Sequence, residues 1–147
     1  MSPYKRILVA VDGSSASGKG LREALRLAKS QGARLAILNV INEFPAFASL
    51  EGPVPVDLVP MLRRGGKKIL ARAEAAARKA GVRPTMVARE IVGGPAADVI
   101  VREAKKQRAD LIVLGTHGRR GVRRLVLGSD AEQVVRMSPV PVLLVRA

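Results

Sequence analysis

Apolar and polar positions follow two rhythms along this chain. Three short stretches, 6–11 (RILVAV), 110–115 (DLIVLG) and 140–145 (VPVLLV), are continuous aliphatic runs rather than alternating ones. Runs of that kind suit strands covered on both faces, as in a parallel sheet. Two further stretches, 34–40 (RLAILNV) and 85–92 (TMVAREIV), complete five predicted strands. Between them the period changes to that of a helix. Leu21, Ala24, Leu25 and Ala28 stand at i, i+3, i+4 and i+7, and Gly32 follows as a stop signal. A second helix is predicted over 57–80, with Leu62, Ile69, Ala73, Ala76 and Ala80 inward and Gly81 as its stop. Pro95 suits the first turn of a third, with Ala97, Ile100, Val101 and Ala104 inward. A fourth starts near Ser129, carries Ala131, Val134 and Val135, and ends at Ser138-Pro139.

Strand and helix therefore alternate as βαβαβαβαβ. That order predicts an α/β fold: an open parallel sheet with helices on both faces. The 147 residues are read as a single domain, 1–147, with neither an internal repeat nor a linker. The one long connection, 42–57, is expected to be mobile. No apolar run approaches the ~20 residues that span a bilayer. The N-terminal apolar run, Ile7 to Val11, is too short for a secretory signal. Cysteine is absent, which excludes disulfides and thiolate metal sites. These features point to a cytoplasmic protein without membrane contact.

Charge adds a question. Lys and Arg number 26 against 12 Asp and Glu, a net +14, which attracts polyanions. Aromatic residues are only 2% of the chain, so stacking platforms for a single strand are nearly missing. Excess charge is an ordinary solvated surface more often than a nucleic-acid site, and nucleic acid is not the expected partner.

Two glycine-rich stretches could carry chemistry. In VDGSSASGKG, Gly13 and Gly18-Lys19 nearly reproduce a phosphate-binding P-loop, but Gly20 stands where a Ser or Thr hydroxyl should meet Mg²⁺. After the fourth strand, Gly115, Gly118 and Gly128-Ser129 are spaced G-x2-G-x9-G-S. Glycines permit close approach of backbone to a ligand. Gly128-Ser129 also opens a helix, whose free N–H groups suit a phosphate, and Ser129 could cap that helix or bond a phosphate oxygen. Residues 111–129 hold no Asp or Glu but contain Arg119, Arg120, Arg123 and Arg124, so an anion is the natural ligand.

These motifs resemble those of the universal stress protein family, and the resemblance runs the length of the chain. Besides the glycine signature, ILVAVDGS, ADLIVLGTHGRRG and SPVPVLLV look like the family's first, fourth and fifth strands. The resemblance implies a Rossmann-like sheet of order 3-2-1-4-5, similar to the adenine nucleotide alpha hydrolase folds. It implies an adenine nucleotide, ATP or else ADP or AMP, bound as a stress-response switch, since the intact signature marks the ATP-binding branch. It carries nucleoside contacts to Ala10, Val11 and Asp12 and adenine contact to Val40. Ribose and phosphate contacts fall on Gly115, Thr116, His117, Gly118 and Arg119, and further phosphate contacts on Gly128, Ser129 and Asp130. Asp130 departs from the pattern, because a carboxylate beside phosphates repels them unless it turns away or meets a metal. In that strand order GSSASGKG would be a loop capping the first strand, with the phosphates held by the fourth-strand loop.

Asp12 could also hold Mg²⁺ with the nucleotide, or cap the first helix. Ser14, Ser15 and Ser17 suit caps and turns. No motif places a catalytic base, so at most a weak ATPase is expected; a slow hydrolase or nucleotide transferase using Asp12 and Mg²⁺, and a basic nucleic-acid-binding module, are the alternatives. In the implied order the fifth strand lies at an edge. Val140, Val142, Leu143, Leu144 and Val145 beside free backbone groups then predict a homodimer through that strand.

Overall fold

The computed structural model describes residues 3–43, 51–53, 55–116 and 127–146. Five parallel strands form one sheet: β1 (Arg6–Ala10), β2 (Arg34–Asn42), β3 (Thr85–Ile91), β4 (Leu111–Gly115) and β5 (Val142–Val145). Their spatial order is β3-β2-β1-β4-β5. The four helices α1 (Ser15–Gln31), α2 (Leu58–Lys79), α3 (Ala96–Lys106) and α4 (Ser129–Met137) alternate with the strands. The predicted order and alternation are the observed ones.

The aliphatic runs are two-faced, as a doubly covered sheet requires. Ile7, Val9, Leu35, Ile37, Leu111 and Val113 pack with α1 and α2. Leu8, Ala36, Leu38, Ile112 and Leu114 pack with α3 and α4 on the other face. The predicted inward faces of α1 and α3 are buried throughout. In α2 the buried residues are Gly66, Ala73 and Ala77; Leu62, Ile69, Ala76 and Ala80 are only half-buried, because this helix lies over the outer strands β2 and β3. Val135 is a correction: it is 46% exposed, and the short α4 turns only Ala131 and Val134 inward. Within the 42–57 connection, residues 44–50 and 54 lie outside the described residues.

The stretch GSSASGKG is also corrected. It is not a loop: Ser14 caps α1, its Oγ accepting from the Ser17 N–H at 3.1 Å, and Ser15 onwards is helical. Gly18-Lys19-Gly20 therefore lie within the helix and cannot wrap a phosphate as a P-loop does. Gly20 has a packing reason instead. A Cβ there would meet the Gly115 backbone N at 3.2 Å. The approach is reciprocal: a Cβ on Gly115 would stand 2.5 Å from the carbonyl carbon of Ala16 and 2.8 Å from the Ser17 N. Helix α1 thus rests directly on the end of β4.

One buried charge holds an outer strand. Glu103 of α3 is 3% exposed and receives the Arg89 guanidinium of β3 at 2.8 Å. A buried carboxylate needs such a partner, because leaving it alone costs several kcal/mol.

The glycine contact yields a test. Gly115→Ala forces a methyl group onto the backbone of α1, and overpacking of this kind costs about 3 kcal/mol. For a domain of this size Tm should fall by roughly 6–12 °C. A Tm within a degree of the wild type would mean that α1 does not seat against β4 as described.

Candidate functional site

Strand β1 is the pivot. It pairs with β2 on one side and β4 on the other, so the chain order reverses across it. Ligands of open α/β sheets bind at such a point, beyond the strand C-termini. The register makes a recess there. β1 stops at Ala10, opposite Leu38, whereas β2 continues to Asn42 paired only with β3. Val40 lies in this overhang, half-buried.

The chain leaving β1 turns tightly. Both backbone groups of Val11 are held by β2: its N–H donates to the Leu38 carbonyl at 2.8 Å, and its carbonyl accepts from Asn39 Nδ2 at 2.8 Å. Asp12 Oδ1 accepts from the Ser14 N–H at 2.9 Å, and the Asp12 N–H donates to Ser17 Oγ at 3.2 Å. Gly13, at φ 83°, supplies the left-handed residue this turn requires. Asp12 is therefore fixed at the recess and also orders the entry to α1.

The fourth-strand side closes the recess. The Thr116 N–H donates to the Val145 carbonyl at 3.0 Å, and its carbonyl accepts from the Gly128 N–H at 2.7 Å. The base of the glycine-rich connection is thus drawn together, while His117, Gly118 and Arg119 lie outside the described residues. Gly128, not Ser129, is the N-cap of α4, and no side chain caps that end. Ser129 is instead the first helical residue. The first N–H groups of α4 form the positive end of its dipole.

Asp130 faces the same recess. Loss of hydration and then the negative charge of Asp12 push its carboxyl up from the ordinary carboxylate range. The structure thus brings Ala10, Val11, Asp12, Val40, Gly115, Thr116, Gly128, Ser129 and Asp130 to one end of the sheet. Gly115 also has a packing role, since its missing side chain makes room for α1.

Asn39 is the residue that sequence reading passed over. It is 3% exposed, ties β2 to Val11, and its Oδ1 faces Gly66 of α2. The signal was a lone polar residue inside the aliphatic run RLAILNV. At the other edge of the site, Arg63 of α2 pairs with Glu90 of β3 through two nitrogens, which lowers the carboxyl and raises the guanidinium.

A parallel sheet of this order, with its strand ends facing a helix N-terminus, defines the doubly wound class of α/β fold. The chain matches the universal stress protein family over residues 3–146, and it belongs to that family. It is similar to the universal stress protein YxiE of Bacillus subtilis, 36% identical over 150 residues, covering 97% of this chain and 99% of that protein. It is also similar to the universal stress protein MJ0531 of Methanocaldococcus jannaschii, 34% identical over 144 residues, covering 97% of this chain and 82% of that one. Among solved structures, one from the family in Burkholderia pseudomallei superposes with a TM-score of 0.80 at 33% identity, covering 100% of this chain and 99% of that chain. Another, a universal stress protein in complex with cAMP, has a TM-score of 0.66 at 29% identity and 97% coverage of both chains.

The two carboxylates give a pH test. A carboxyl whose pKa is higher in the fold than in the unfolded chain holds its proton more tightly when folded. Asp130 therefore favours the fold where it is protonated, and this advantage is lost as pH rises from the unfolded value through the raised one. Asp130→Asn should raise Tm at neutral pH, with the gain shrinking to nothing below about pH 4. Equal Tm values for variant and wild type across that range would remove the carboxylate pair from the site.

Proposed function

We propose that this protein binds an adenine nucleotide, with ATP as the first candidate and ADP or AMP as the others, and that binding serves as a regulatory switch. The supporting observation is the recess beyond β1, where Asp12, the Val40 overhang and the free N-terminus of α4 face one another. The relative solved with cAMP supports the adenine part of the reading. The base would lie along the backbone at Val40, the ribose near Asp12, and the phosphates between Gly118, Gly128 and Ser129, with Thr116, His117 and Arg119 beside them.

Asp130 works against this arrangement as a lone anion. Its carboxyl is already pushed up by loss of hydration and then by Asp12, and phosphates would raise it further. A divalent cation would relieve both repulsions. Among the described residues no group of three or more His, Asp or Glu could hold a metal by itself. Mg²⁺ would therefore be held jointly, by Asp12 or Asp130 and by the nucleotide's own phosphates, as is usual for that ion. Bound there, it would neutralise phosphate charge.

The same pair favours a second reading, a slow ATP hydrolase or nucleotide transferase. A carboxyl raised by loss of hydration and by a neighbouring carboxylate is raw material for acid–base chemistry. Sustained turnover that disappears in Asp12→Ala would support it; ATP recovered intact after long incubation would sink it.

Ligand at about 100 times its Kd adds about 2.7 kcal/mol of stability. ATP should therefore raise Tm by roughly 5–10 °C. Lys19→Ala should show the same shift, because Lys19 is a residue of α1 and not of a phosphate loop. If millimolar ATP, ADP and AMP all leave Tm unchanged, the nucleotide reading fails.

We further propose a homodimer through β5. The strand is the sheet edge, and its residues Val142, Leu143, Leu144 and Val145 are all half-buried. The carbonyls of Pro141 and Val145 accept from β4, which turns the backbone groups of Val142 and Leu144 to the open side. A second β5 could pair with these about a two-fold axis, with Val140 flanking the contact. Leu144→Pro removes an outward N–H, a change that an edge strand tolerates. Sedimentation at tens of micromolar should show a wild-type dimer and a folded, monomeric Leu144→Pro variant; a monomeric wild type would refute the dimer.

A further inference from the structure

The opposite end of the sheet carries a line of positive charge that the nucleotide site does not use. In a parallel sheet all strands start at one end, and here four of the five starts bring a cation. Arg83 precedes β3, Arg34 opens β2, Lys5 and Arg6 open β1, and Arg108 precedes β4. All five are exposed. The spatial order of those strands sets them in a row along the sheet edge. Neighbouring strands lie about 4.8 Å apart, so the cations are closely spaced.

Three observations separate this row from an ordinary solvated surface. First, Arg6 and Arg34 are register partners in adjacent strands, a like-charge pairing that is unfavourable unless something negative lies between. Among the described residues neither guanidinium has an ion pair or a hydrogen bond. The acid beside them, Asp110, is taken up by backbone: its carboxylate accepts from the N–H groups of Lys5 at 2.8 Å and Arg6 at 3.1 Å.

Second, the two arginines line a notch of about 120 Å³, with Thr85 of β3 and Gln107 beyond α3. Arg6, Arg34 and Thr85 precede residues of alternating burial and share the face covered by α3. The notch is thus a recess of two cations and a hydroxyl at the end of α3, with room for a phosphate group.

Third, Arg108 is held in a costly conformation. Among the described residues it is the one non-glycine with positive φ, at 54°. Helices α1 and α2 end at Gly32 and Gly81, with φ 62° and 80°, as a left-handed stop ordinarily does. α3 ends with an arginine in that place. A strained residue where glycine would serve better invites a functional reason. The lysines in the last turns of the helices need none, since they offset the negative end of each helix dipole.

We infer that the strand-start edge, centred on Arg6, Arg34 and Arg108, binds the phosphate backbone of duplex nucleic acid. A row of cations complements a linear polyanion better than it does a single phosphate. Duplex is favoured over single strand because, among the described residues, no stacking surface accompanies the row; the lone tyrosine, Tyr4, is packed against the core. Recognition is of backbone charge and not of base sequence. The face lies opposite the nucleotide recess and is independent of it.

The test uses fluorescence anisotropy of the full chain with a labelled 20-base-pair DNA duplex at several salt concentrations. Wild type should bind with affinity falling steeply with salt. The triple variant Arg6→Gln, Arg34→Gln, Arg108→Gly should bind at least about tenfold more weakly, and its log–log salt slope should fall by about 3, near 0.9 per lost phosphate contact. Thermal melting monitors the fold of each variant. Arg108→Gly alone discriminates further: relief of the left-handed residue should raise Tm while affinity drops about two- to fivefold. A raised Tm with unchanged affinity would show that Arg108 has no part in binding and overturn that assignment. Absence of wild-type binding at low salt would overturn the whole proposal. So would loss of binding in Arg120→Gln, Arg123→Gln, Arg124→Gln with the triple variant unaffected, since the polyanion would then be met by those arginines and not by the row.

Discussion

A close backbone approach brings α1 against the end of β4, and the candidate site depends on it. Two missing side chains make it possible. Gly20 lets β4 come up to α1, and Gly115 lets the first turn of α1 lie across β4. Because α1 is seated so low, the chain from β1 must turn within Val11 to Ser14. That turn is what fixes Asp12 by its bonds to Ser14 and Ser17. A larger residue at either glycine would lift the helix and move the carboxylate with it. Packing density here sets the geometry of a polar site, because close-packed interiors transmit displacement rather than absorb it.

Electrostatics divides the molecule along its strands. The described carboxylates Asp12, Glu43, Glu90 and Asp130 gather toward the strand C-termini, where α4 presents its positive end. The strand starts carry the cationic row, with the Asp110 carboxylate bonded to the backbone N–H groups of Lys5 and Arg6. The net charge of +14 is therefore not spread evenly over the chain. The two ends differ in kind: the strand C-termini combine carboxylates with a helix dipole, whereas the strand starts present side-chain cations.

The sequence disclosed the sheet because burial on both faces leaves an unbroken aliphatic run, as in Arg6–Ala10 and Leu111–Gly115. Strand order came through the motifs, not through periodicity, which says nothing of neighbours. Glycine spacing showed where the phosphate end of the site should be, but not why each glycine is present: nothing local tells Gly115 that Ala16 will lie against it. Helical status of Ser15–Gly20 was hidden because Gly18 and Gly20 are poor helix formers, and tertiary packing overrode their propensity. The coupling of Asp12 and Asp130 joins residues more than a hundred positions apart, and the charge pattern along the chain could only hint at it. The same holds for Arg89 and Glu103, whose pairing becomes visible only once β3 and α3 are packed together.

The central position of β1 has a cost during synthesis. Its two partners emerge at very different times, β2 by residue 42 and β4 only by residue 115. The backbone bonds from Lys5 and Arg6 to Asp110 span 105 and 104 positions. Translation at about 5–20 residues per second leaves one edge of the middle strand open for roughly 4–15 s on every ribosome. During that interval Ile7, Leu8 and Val9, later among the most buried residues of the sheet, adjoin a bare row of amides and carbonyls. The nascent chain thus exposes, until its second half arrives, an apolar strand edge that ends among the best protected in the fold.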